Sequence, residues 1–164
     1  MDPFSGEGGE HLLLRCLQTA LHCSFQPSLT PNTELLNITT AFLRGSYTQV
    51  LDFPLSDFSS TNTLAARTLQ LRAKIALGQS SPVLSELKSE TSPDLSAVKA
   101  FALYSQGKTD QAVNEAEKLI EAHPQNSTAQ LLCATILHGE GRTEEALNVL
   151  GKHEGSLEAL VLPL

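Results

Sequence analysis

The sequence predicts an all-α chain, a right-handed solenoid of short helices stacked as pairs. Three observations predict it. The octet GKTDQAVN at 107–114 returns as GRTEEALN at 141–148, and Gly107 to Gly141 is a step of 34 residues. Apolar residues on either side of each glycine recur at helical rather than alternating spacing. Pro124 ends one helical run, and Pro82 sits in the first turn of another, where its missing N–H costs least. The unit is helix, glycine turn, helix, and it is written more than once.

Taken in order, residues 1–33 form an N-terminal extension expected to be poorly ordered. Its stretch Leu12 to Phe25 has the makings of a short helix, without any expectation that it packs on the rest. The first pair reads ELLNITTAFLR before Gly45 and SYTQVL after it, and the second NTLAARTLQLRAKIAL before Gly78 and QSSPVLSEL after it. Gly45 to Gly78 is 33 residues and Gly78 to Gly107 is 29. The third pair sets Leu95, Val98 and Ala102 on one face with Phe101 on the flank. It then sets Ala112, Val113, Ala116, Leu119 and Ile120 together after Gly107. In the fourth pair Leu131, Leu132, Ala134 and Leu137 face one way before a GEG turn. Ala146, Leu147 and Leu150 follow, with Gly151 as a C-terminal stop. Thr109 and Thr143 precede acidic residues as helix N-termini prefer. SLEALVL begins a fifth pair, so residues 34–164 read as four pairs and a start.

A period of 34 residues with small and bulky apolar residues at these slots is the tetratricopeptide pattern. Gly107 at the turn puts Ala112, Ala116, Leu119 and Pro124 on the small, bulky, small and stop positions. The match is imperfect: the chain has no Trp, and Ser96, Lys99 and Ala100 occupy the slots of Trp, Leu and Gly. The physical logic is steric. Alanines let paired helices approach, larger residues fill the gap to the next pair, and stacking supplies a core that no unit has alone. The closing EALVLPL lacks the polar outer face of a solenoid end. The expectation is a shortened version of a longer protein, or an end covered by something else.

Composition narrows the chemistry. Hydrophobic residues make up 41% and charged ones 18%, a globular balance with fewer charges than usual. A net charge of −7 without a Lys/Arg cluster argues against nucleic acid. The acidic start MDPFSGEGGE argues against a secretory signal, and no run reaches the ~20 apolar residues of a membrane span. The expected setting is cytosolic and reducing, with Cys16, Cys23 and Cys133 as free thiols and Cys133 in the core. The sequons at Asn37 and Asn126 carry no meaning there. No nucleophile–base pair, phosphate loop or metal-ligand spacing stands out, and His11, Cys16, His22 and Cys23 match no familiar zinc module. No enzyme, metal or cofactor is expected.

In tetratricopeptide stacks the first helix of each pair lines a concave face. That register brings Arg72, Phe101, Tyr104, Leu131, Thr135 and His138 to it. Phe101 and Tyr104 are the aromatic anchors typical of interface hot spots. The alternative for Phe101 is a place in the core between pairs. Chaperone-binding versions clamp a peptide carboxylate with basic and Asn side chains; Ala97, Phe101, Leu131 and Thr135 make no such clamp.

Several stretches in succession resemble the epsilon subunit of coatomer. They are AFLRGSYTQVLDF, LQLRAKIALGQSSPVLSELKSETSPDLSAVKAFALY and NSTAQLLCATILHGEGRTEEALNVLGKHEGSLEALVL, covering roughly 34–164. Pro93–Val98 matches that family's Pro-Asp/Glu-Leu-x-Ala-Val segment. MDPFSGEGGE resembles the start of fungal members, where it runs almost directly into an ELLN-like helix, here Glu34–Asn37. Residues 11–33 then stand as a lineage insertion or translated non-coding sequence. The resemblance implies a non-catalytic subunit of the COPI coat in Golgi-to-endoplasmic-reticulum and intra-Golgi transport. It implies binding to the C-terminal region of the coatomer alpha subunit and peripheral membrane association through the coat. The competing expectation is a general tetratricopeptide adaptor, a co-chaperone or assembly scaffold.

Overall fold

Each glycine placed between helices by the repeat adopts left-handed backbone, with φ of 74° at Gly45, 80° at Gly78, 78° at Gly107 and 80° at Gly141. A side chain in this region meets its own carbonyl, which is why the position is written as glycine. The hydrogen bonds repeat with the dihedral. Gly107 N–H donates to Tyr104 O at 2.9 Å and Lys108 N–H to Leu103 O at 3.1 Å. The same two bonds recur around Gly45, Gly78 and Gly141. This is the Schellman ending of a helix, and it satisfies carbonyls that would otherwise be left open.

The computed structural model of the chain describes residues 34–151, and among these the regular elements are all helical. They are α1 (Leu36–Leu43), α2 (Tyr47–Asp52), a 3₁₀ turn (Leu55–Asp57), α3 (Thr63–Ala76), α4 (Ser80–Glu86), α5 (Pro93–Ser105), α6 (Thr109–Ala122), α7 (Ser127–Gly139) and α8 (Thr143–Leu150). The 3₁₀ turn is not foreshadowed by the repeat. The N-terminal extension, the Leu12–Phe25 stretch, Cys16, Cys23 and the start of a fifth pair lie outside the described residues.

Contacts run between neighbours. Each odd-numbered helix packs on the even-numbered helix that follows it and on the next odd-numbered one, and each even-numbered helix packs on the odd-numbered helix after it. This nearest-neighbour order, in an all-helical chain, is consistent with an α-solenoid. The core divides accordingly. Leu71, Ile75, Val83 and Leu87 of the second pair meet Leu95, Val98 and Ala102 of α5. Ala100, Ala112 and Ala116 bring α5 and α6 together, and Cys133 and Ile136 of α7 close over them. Ala112 and Ala116 are fully buried, and a larger side chain there would push the two helices apart.

Polar contacts tie helices together both within a pair and between pairs. Arg67 of α3 reaches Glu90 at 2.9 Å and Glu86 at 3.5 Å, and Lys74 reaches Glu86 at 3.1 Å. Glu34 accepts from Ser59 N–H at 3.1 Å, Ser59 Oγ at 2.8 Å and Asn62 Nδ2 at 2.8 Å, fixing the start of α1 to the entry of α3. These donors, Asn62 first, hold the Glu34 carboxyl below its ordinary range.

Several expectations need correction. Thr109 and Thr143 are the first helical residues, one position inside Lys108 and Arg142, and neither N-cap position uses its side chain to cap. Asn126 is the side-chain cap instead: its Oδ1 accepts from Ala129 N–H at 2.8 Å while Nδ2 donates to Asp94 at 3.3 Å. Helix α7 is not amphipathic, since Ala129 through Ala134, Ile136 and Leu137 are all buried between its neighbours. In α8 Ala146 and Leu150 are buried as expected, while Leu147 is 45% exposed and Val149 is buried in its place. Gly151 does end α8 as its C-cap, but with φ of −64°, an ordinary right-handed value rather than the left-handed backbone of the turn glycines.

Candidate partner-binding face

The odd-numbered helices carry the six residues expected to line a common face, and two of these, Arg72 and Tyr104, reach a residue of a neighbouring pair. At the first junction the Arg72 guanidinium of α3 lies 4.6 Å from the centre of the Phe42 ring of α1. Phe42 in turn packs edge-to-face on Tyr47, with ring centres 5.6 Å apart. A cation over an aromatic face is attracted by the ring quadrupole, so Arg72 is held against the neighbouring pair rather than extended into solvent. Phe42 is a residue that the repeat register did not bring forward; an aromatic one turn before the first glycine was the available signal.

Phe101 and Tyr104 lie in α5. Both are half-buried and pack on the cluster formed with Ala112, Ala116, Cys133 and Ile136. Phe101 also touches a second cluster, built from residues of α3, α4, α5 and α7. Its position therefore joins two readings: part of the ring fills the gap between pairs, and part remains exposed.

Tyr104 crosses to α7. A Cβ built on Gly139 would stand 2.8 Å from Tyr104 Cζ and 3.3 Å from Cε1, and would overlap the hydroxyl. The phenol occupies the space a side chain would need. Gly139 is the last residue of α7 and is not among the left-handed glycines, so its backbone does not demand glycine. Helix propensity alone favours alanine there by ~1 kcal/mol. Gly139 and Gly141 are thus two glycines with different reasons, the first for room and the second for backbone.

On α7 the candidates divide. Thr135 is half-buried and its Oγ1 donates to Leu131 O at 2.8 Å, a back-bond within the helix. His138 is exposed in the last turn, where its side chain suits the negative end of the helix dipole. Leu131 is 7% exposed and packs with Ala134, Leu137, Ala146, Val149 and Leu150 between α7 and α8. It belongs to the core of the fourth pair, and the expectation that it faces a partner is corrected. The reason is that α5, α6 and α8 cover most of α7, which leaves few of its positions at any surface.

The described residues contain no group of three or more His, Cys, Asp or Glu side chains able to hold a metal ion. Cys133 is buried, and desolvation pushes its thiol up to about 12, far from thiolate chemistry at neutral pH. Gln130 is buried with its Nε2 donating to Pro124 O, while its Oε1 accepts nothing among the described residues. It borders a cleft of about 240 Å³ that Ile120, Glu121, Pro124 and Val149 complete. Among the described residues no helix is long and apolar enough to cross a membrane. Phe101, Tyr104, Thr135 and His138 thus leave aromatic, hydroxyl and imidazole groups partly or fully exposed on α5 and α7.

No curated protein and no solved structure gives a significant match to the chain. The family model of the coatomer epsilon subunit matches residues 31–164, most of the sequence and all of the described helices. By that match the chain belongs to the coatomer epsilon subunit family, the structural subunits of the COPI coat.

Proposed function

We propose that this chain stabilises the coatomer alpha subunit by binding its C-terminal region, as a non-catalytic member of the coat in retrograde Golgi-to-endoplasmic-reticulum and intra-Golgi transport. The family match over 31–164 is the observation that carries the reading. The helices are taken to form a right-handed tetratricopeptide-like solenoid, with residues 1–33 outside it. Five of the six candidate residues serve as contacts: Arg72, Phe101, Tyr104, Thr135 and His138. The glycine turns and cross-pair contacts support this by holding the odd-numbered helices in a fixed order. Localisation follows from assembly, on the cytosolic side of Golgi membranes and COPI-coated vesicles, with the coat making the membrane contact.

Titration calorimetry of the full 164-residue chain against the C-terminal region of the alpha subunit tests the proposal. Saturable binding with a negative heat-capacity change is expected, because apolar surface is buried on association. Absence of heat from a chain that is helical by circular dichroism overturns it.

A further inference from the structure

The contact between Tyr104 and Gly139 joins successive odd-numbered helices at their C-terminal ends. It involves a glycine that the backbone does not require. Tyr104 is half-buried and Gly139 exposed, so the contact lies at the surface rather than deep between the pairs. Beneath it, the cluster shared by α5 and α7 includes two small residues, Ala100 and Cys133, beside the larger Ile136. Small residues permit more than one approach of two helices, and an aromatic ring seated on a bare Cα selects one of them.

We propose that Tyr104 and Gly139 form a positioning pair that fixes the angle between the third and fourth helix pairs. The pair thereby sets the curvature of the face on which the coat partner docks. The second half of this proposal rests on the docking reading above; the first half does not. Tyr104 acts here through Gly139, by holding α7, rather than only as a contact in its own right.

The sign of a substitution separates this from ordinary helix propensity. Alanine is the better helix former, so Gly139→Ala raises the melting temperature if the position is merely the end of a helix. If Tyr104 occupies the space, the same change forces the ring out and lowers the melting temperature by ~2–4 °C. In a Tyr104→Ala background the obstruction is gone, and Gly139→Ala becomes neutral or stabilising. That reversal of sign is the signature of the pair.

The experiment is this double-mutant cycle in the full chain, read by thermal melts and by affinity for the C-terminal region of the alpha subunit. Affinity is measured well below every melting temperature, where a purely stabilising role leaves it unchanged. Gly139→Ala is expected to weaken binding by about tenfold or more, since with the ring forced out nothing holds α7, and its part of the face, in register. A Gly139→Ala chain as stable as the wild type, with Tyr104 in place, overturns the positioning pair. A reversed sign in the melts with unchanged affinity overturns the link to the docking face. Failure of the wild type itself to bind falls on the docking reading and leaves the melting cycle to decide the pair.

Discussion

Gly107→Ala isolates the property on which the repeat depends. At φ of 78° the glycine sits in left-handed backbone, and a Cβ built there meets nothing within 4 Å. Crowding by neighbours therefore contributes nothing, and the whole native-state cost is the local clash of the Cβ with its own backbone, ~1–2 kcal/mol. Alanine also restricts the unfolded chain, which returns ~0.4–1 kcal/mol to the folded state. The net is a loss of ~1 kcal/mol, or ~2–4 °C in melting temperature for a chain of this size. Urea denaturation followed by circular dichroism should show a lower midpoint with an unchanged slope, since the surface exposed on unfolding is the same. Asparagine, which tolerates this region, should cost less than alanine, and valine should cost more. Gly141→Ala should fall by a similar amount, because its φ of 80° and its empty surroundings are alike. Alanine at 107 as stable as glycine would refute the reasoning. It would mean that α5 and α6 do not part at a left-handed residue.

Three further outcomes follow from the packing and the charges. Ala116→Leu should cost ~1–3 kcal/mol in urea denaturation, since its site between α5 and α6 is fully buried and holds no room for three more carbons. Glu34→Gln should lower the melting temperature at neutral pH. The folded carboxyl is depressed below its ordinary value of 4.5, so its contribution is present above that value and fades as pH falls through the folded pKa. Melts of the two proteins should accordingly converge in acid and separate at neutral pH. Cys133 should resist iodoacetamide in the native chain at neutral pH and react in urea, as mass spectrometry of its peptide would report. Burial both hides the thiol and suppresses its ionisation.

The frame of the fold is legible in the sequence because it rests on residues with one physical meaning. Only glycine occupies left-handed backbone without strain, so four spaced glycines announce four turns. Pro93 opens α5, and Pro124 lies just beyond the end of α6. What is not legible depends on how much of a helix its neighbours cover. Helix α7 packs on α5, α6 and α8, and with most of its circumference covered only a narrow strip such as Thr135 and His138 marks its orientation. Leu131 could therefore be assigned to the surface and lie in the core. The Tyr104–Gly139 contact is hidden for another reason. The two residues belong to different pairs, and their proximity is set by the approach of helices rather than by spacing. A clue was present all the same: the GEG run holds one glycine more than a turn requires.

Docking of the coat partner along the odd-numbered helices is measured most directly by hydrogen exchange of the full chain, alone and with the C-terminal region of the alpha subunit. Slowed exchange is expected in α5 and α7, strongest around Phe101–Tyr104 and Thr135–His138, with α6 and α8 little changed. Protection concentrated on α6 and α8, with α5 and α7 exchanging as in the free chain, would contradict it.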